Sequence, residues 1–189
     1  MVGYSGIGAA GDMKTAKKTL QELDENDYYR AYVTMEDVKT YAELVSFCEK
    51  NNITPEWCNV CKIDNDEYYY VDNIGFLYSA SSTELGYDVE KYPYLTQFDL
   101  SLSSDDFDKA YSQDTMEKHF ISMLKYIEEQ DAFCQMMGVE HSDEFYDELI
   151  KNVEEHGLNI FGFTVVAQKD EILRISETQD VYYVYTENI

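Results

Sequence analysis

Hydrophobic residues first recur at helical spacing in 12–25, DMKTAKKTLQELDE. Met13, Ala16, Leu20 and Leu23 form one stripe there, with Lys14, Lys17 and Lys18 elsewhere on the surface, which predicts an amphipathic helix. The period then changes. YYRAYVTM at 28–35 is aromatic and β-branched and predicts a strand. DVKTYAELVSFCEKNN carries Val38, Tyr41, Ala42, Val45 and Cys48 at spacings of three and four, a second helix. TPEWCNVCKI returns to strand composition, so the order is helix, strand, helix, strand.

The last third shows the same order. SDEFYDELIKNVEEHG puts Phe145, Leu149, Ile150 and Val153 on one face and stops at Gly157, a left-handed cap. LNIFGFTVVAQ is nearly continuously apolar, as a central strand buried on both faces should be. KDEILRISETQD predicts a short helix and VYYVYTEN a closing strand. In the middle, DNDEYYYVDNIGFLYSASS reads as a strand or hairpin followed by a polar loop, and YPYLTQFDLSLSSDDF as an extended piece running into a helix start. DTMEKHFISMLKYIEEQDAFCQMMG is the longest helical signal, with Met116, Phe120, Met123, Leu124 and Ile127 aligned and Gly138 beyond its end. No Pro-rich or Gly-Ser linker separates parts of the chain. The expectation is one α+β domain over 1–189: a mixed sheet built from two helix-strand-helix-strand units and covered by amphipathic helices. The two units read as a pseudo-repeat of 12–63 and 142–187 around a helical and extended insert at 64–141, without residue-level identity between them.

Composition narrows the partners. A hydrophobic share of 44% and an aromatic share of 15% exclude a disordered chain. Against 14 Lys and Arg stand 38 Asp and Glu, a formal charge of -24 that repels phosphate backbones and anionic lipid. Nucleic acid is therefore not an expected partner. A cationic ligand, a divalent ion or a basic protein surface fits the charge, although a solvated surface explains most of it. No stretch approaches the roughly 18 uninterrupted apolar residues of a membrane span, so the chain reads as soluble.

The motifs that carry chemistry elsewhere each lack a partner here. EWCNVCKI holds a Cys-x-x-Cys, but a helix precedes it and no helical period follows, the reverse of the strand-then-helix order that stabilises a thioredoxin-type thiolate. In a strand, Cys58 and Cys61 point to opposite faces and do not readily close one disulfide. Zinc needs about four ligands, and Cys48, Cys134, His119, His141 and His156 supply no second close pair. The cysteines read as small buried hydrophobes. GIGAAG at 6–11 matches a dinucleotide fingerprint, with Glu36 and Asp37 at the end of the following strand, but MVGYS is too short and polar to be the required buried strand before it. GYSGI ends in Ile7 where a nucleophile elbow has glycine. Asp64, Asp66 and Glu67 lack the glycine and terminal glutamate of a calcium loop and read as a solvated turn. No catalytic, cofactor-binding or metal residue is assigned, no cofactor is expected, and the ligand-binding residues are unknown. Tyrosines, 18 in all, offer a different hint. Tyr68, Tyr69 and Tyr70, and Tyr182, Tyr183 and Tyr185, alternate between faces in a strand, so some must be exposed or meet a partner.

GYSGIGAAGDMKTAKKTL, YRAYVTMEDVKTYAELVSFCEKNNITPEWCNV, HFISMLKYIEEQDAFCQMMG and EEHGLNIFGFTVVAQKDEIL together resemble the C-terminal domain of membrane-bound sigma-factor regulators, the anti-sigma proteins of Firmicutes. That resemblance implies an extracytoplasmic sensory or interaction module. It would be tethered through an upstream transmembrane helix to a cytoplasmic segment that binds a sigma factor, both outside this sequence. It supplies no catalytic residues. The expected function is non-enzymatic binding of a ligand or protein that biases a state of the parent. The alternatives are a thiol oxidoreductase using Cys58 and Cys61 and a cytoplasmic protein-interaction domain.

Overall fold

The computed structural model describes residues 13–64, 67–78, 87–95, 109–130, 136 and 143–189. GIGAAG, Asp66, Cys134, Gly138 and His141 lie outside them, as do the side chains of Tyr69 and Tyr70.

The first strand, β1 (Tyr28–Thr40), follows the helix α1 (Met13–Gln21). It runs beyond the stretch that composition predicts and ends where Thr40 caps α2 (Tyr41–Asn51). Thr40 Oγ1 accepts from the Glu43 N–H and the Glu43 carboxylate accepts from the Thr40 N–H, a reciprocal capping box that fixes the helix start. Asn52, at φ 49°, ends the helix. Buried on α2 are Tyr41, Leu44, Phe47 and Cys48, while Ala42 is exposed and Val38 belongs to the strand. The apolar stripe is therefore rotated from the one that spacing predicts. The strands β2 (Trp57–Asp64) and β3 (Glu67–Leu77) form a hairpin with Asp64 opposite Glu67. After α3 (Gln113–Glu128) and α4 (Asp143–His156) come β4 (Asn159–Gln168), α5 (Lys169–Ser176) and β5 (Val181–Asn188).

The strands make one sheet in the order β3-β2-β4-β1-β5, and every pairing is antiparallel. The fold is α+β, but the expected mixture of parallel and antiparallel neighbours is not found among the described strands. Interleaving is the reason. β1 and β2 are joined through α2 yet flank β4, and β4 and β5 are joined through α5 yet flank β1. Each helix-linked pair leaves a gap that one strand of the other pair fills, giving two interlocked split β-α-β units. The right-handed crossover rule puts α2 and α5 on the same face. Phe47 of α2 meets Phe163 of β4 there, and α1 packs against α5 and β5.

The chain divides into two compact units, Met1–Ser79 with Asn159–Ile189, and Ala80–Leu158. The first holds the sheet. In the second, α3 packs on α4 with Met116, Phe120 and Leu124 buried on one helix and Tyr146, Leu149 and Val153 on the other. Ser112 caps α3, and Gly157 closes α4 at φ 72°, the left-handed conformation that the sequence predicts there. His119 is buried on α3 with Nδ1 2.8 Å from the Tyr94 carbonyl oxygen, and burial lowers its pKa.

Candidate interaction surface

Two adjacent rows of side chains cross all five strands on opposite faces. The helix-covered row is Phe76, Cys58, Phe163, Val33 and Val184, in register from β3 to β5. All five are buried. One residue along each strand, on the face turned away from α2 and α5, the row is Leu77, Trp57, Thr164, Tyr32 and Tyr185. Its centre is buried and its two ends are exposed, Leu77 at 49% and Tyr185 at 42%.

This second row is shaped by backbone irregularities. Asn59 opposes Gly162 while the next residue, Val60, opposes Ile160, so Phe161 is an extra residue in β4. A bulge of this kind re-aims a side chain. Phe161 packs against Tyr32 and Trp57 instead of continuing the alternation of Phe163 and Val165. Gly75 leaves room for the Trp57 ring, since a Cβ there would collide with that ring and with the Cys58 carbonyl oxygen. The Thr164 hydroxyl, fully buried between Tyr32 and Trp57 in register, has no hydrogen-bond partner.

Beside this row lies a polar and aromatic margin. Arg30 is directly opposite Val166 on one side and Glu187 on the other. Its guanidinium donates two hydrogen bonds, of 2.7 and 3.0 Å, to the Glu56 carboxylate. The Tyr32 hydroxyl donates to Glu187 Oε2 at 2.6 Å, and the Tyr32 and Tyr185 rings lie 5.7 Å apart. Tyr28, two residues before Arg30, is 54% exposed, and Val166 is exposed as well. Tyrosine and arginine gathered around an aliphatic side chain is the composition that concentrates binding energy at protein interfaces. Alternation along VYYVYTEN predicts exposed tyrosines, but the contributions of Tyr28, Val166 and the Arg30–Glu56 pair are legible only once β1, β4 and β5 are neighbours.

The thiols are arranged otherwise. Cys48, Cys58 and Cys61 are free and buried. Burial pushes Cys48 and Cys61 up to about 12 and Cys58 well above its ordinary value. Cys58 sits under the helices near Cys48, while Cys61 donates to the Asn159 carbonyl oxygen at 3.4 Å. A thiolate, the species that attacks a disulfide, is disfavoured at all three. Among the described residues no group of three His, Cys, Asp or Glu side chains could hold a metal ion. Glu36 and Asp37 are exposed on β1, and Asp64 and Glu67 flank the hairpin turn. His156 is exposed at the end of α4. An open groove of about 380 Å³ lies beside α2, lined by Lys39, Glu43, Ser46, Phe47, Lys50 and Asp180 among others. Lys39 donates to Asp180 at 2.7 Å, a hydrogen bond that raises the Lys39 pKa.

These features define a class: an antiparallel α+β sheet domain with helices on one face and strand-borne aromatics on the other. The model of the sigma factor regulator C-terminal family matches residues 20–187, and the chain belongs to that family. A search of curated proteins and a search of solved structures each gave no match. Membership makes the chain a regulatory domain of the sigma-factor control machinery. No helix among the described residues is long and apolar enough to cross a membrane.

Proposed function

We propose that this chain is a non-enzymatic recognition domain of an anti-sigma regulator. It is held on the extracytoplasmic side of the membrane through an upstream helix, where binding a protein or ligand changes the parent's hold on its sigma factor. One observation carries this reading: Tyr28, Val166 and Tyr185 are exposed together around Arg30 on one face of the sheet. A domain that buries the Cys48, Cys58 and Cys61 thiols in their protonated form but displays aromatics on its sheet is built to be touched.

The test uses the full-length regulator in its own host with a sigma-dependent reporter. Tyr185→Asp and Val166→Asp, each at wild-type abundance, should alter the reporter's response. An unchanged response in both variants sinks the reading. Protease added to intact spheroplasts should remove the domain, and protection would refute the extracytoplasmic placement. The oxidoreductase alternative is separated by alkylation in a Cys134→Ser background. Cys48, Cys58 and Cys61 should react only after denaturation, whereas rapid native labelling of Cys58 would favour electron transfer.

A further inference from the structure

We propose that the outer edge of β5, from Tyr183 to Asn188, accepts an added β-strand from a partner whose extended segment is apolar in the middle and cationic at both ends. The proposal rests on the recognition reading above and names where and how contact is made.

Among the described strands, β5 pairs with β1 alone and lies at the end of the sheet. Its register is regular from Tyr183↔Thr34 to Asn188↔Tyr29, and the shift at Val181↔Met35 makes Tyr182 an extra residue at the start. In an edge strand every second residue turns its N–H and C=O outward, a template for another chain. Proteins commonly blunt such edges with lysine, proline or a mid-strand bulge. VYYVYTEN has neither lysine nor proline, and its bulge lies before the regular stretch. The opposite edge contrasts with it. In β3, residues 71–74 intervene between Tyr70↔Cys61 and Gly75↔Asn59, which breaks that edge in the middle.

Charge chooses the occupant. On the face shared by Tyr183 and Tyr185, the charged group of β5 is Glu187. Asp24, Glu25 and Asp27 lie in the turn before the Tyr29↔Asn188 end, all exposed. Around the other end stand Glu36, Asp37, Glu177 and Asp180, with the Glu36 N–H donating to the Asp180 carbonyl oxygen at 2.8 Å. Nearby cations are committed in part: Arg30 to Glu56, Lys39 to Asp180, and Lys169 within 4.0 Å of Glu25. Lys14, Lys17 and Lys18 sit on α1, which packs on β5, so an incoming strand should place its cations on the Tyr183, Tyr185 and Glu187 side. A second copy is disfavoured, because each chain carries a net charge of -24. Strand addition gains affinity from main-chain hydrogen bonds and selectivity from alternate side chains.

The probe is a capped heptapeptide, KTVTVTK, whose lysines and valines share one face in an extended strand. Titrated into the isotopically labelled chain, it should shift and protect from exchange the amides of β5 and leave those of β3 unmoved. The charge-reversed peptide ETVTVTE should bind at least about tenfold more weakly. A KTVTVTK peptide N-methylated at alternate residues on its pairing edge should not bind, a control that leaves the protein's own folding untouched. Equal binding of KTVTVTK and ETVTVTE, or binding of the N-methylated peptide, overturns the proposal. So does a concentration-dependent dimer through β5 in the absence of peptide. If no peptide binds while Tyr185→Asp still alters the reporter, the edge proposal fails and the recognition reading stands.

Discussion

The two rows that cross the sheet on opposite faces share the same strands and the same register, yet they are covered differently. Phe76, Cys58, Phe163, Val33 and Val184 are buried from end to end. That row is core, and its side chains contribute through burial alone. Leu77, Trp57, Thr164, Tyr32 and Tyr185 are buried only in the middle. They carry a polar atom without a partner, a bulge and two exposed ends, local inconsistencies of the kind that proteins concentrate at functional or strained sites. Burial of the centre holds the row in place, and its two ends stay open to solvent.

Substitutions separate the rows. Phe163→Ala opens a cavity in the continuous row and should cost about 3–5 kcal/mol, read as a fall in the urea midpoint at constant slope. Gly75→Ala drives a methyl into the Trp57 ring and should cost about 1–3 kcal/mol, with loss of the native Trp57 fluorescence environment. Thr164→Val removes the orphan hydroxyl and should raise stability by about 1 kcal/mol, the opposite sign from any truncation in the covered row. A destabilised Thr164→Val would mean that the hydroxyl has a partner in solution. The smallest effect belongs to the margin. Tyr185→Ser should change stability by within about 0.5 kcal/mol while still weakening partner contact, which a thermal melt beside a binding assay can distinguish.

Much of this architecture is legible along the chain. Gly157 closes α4 where the spacing of Phe145, Leu149 and Val153 predicts, and β4 is the central, doubly buried strand that LNIFGFTVV predicts. The strand placement of Cys58 and Cys61 also follows from what stands on either side of them. Local pattern failed where two elements abut without a loop. The start of α2 lies at Tyr41 because Thr40 and Glu43 form a capping box, a T-x-x-E signal present in the sequence, and this moves the apolar stripe onto Leu44 and Phe47. The antiparallel interleaving and the turned Phe161 are not local properties. They depend on which strands become neighbours, and hydrophobic period does not encode that. The same holds for the exposed patch, since Tyr28 joins Val166 and Tyr185 only because β1 lies between β4 and β5 in the sheet.

The interlocked strand order also decides when the sheet can exist. The central strand β4 pairs with β2 on one side and β1 on the other, and it begins at Asn159, long after β3 ends at Leu77. During synthesis the β2-β3 hairpin therefore lacks its sheet neighbour until β4 (Asn159–Gln168) has appeared. Such distant pairings fold slowly, because a large loop must close before any contact rewards it. The domain should be vulnerable to proteases and to misassociation through that window, and should gain its resistance late and all at once.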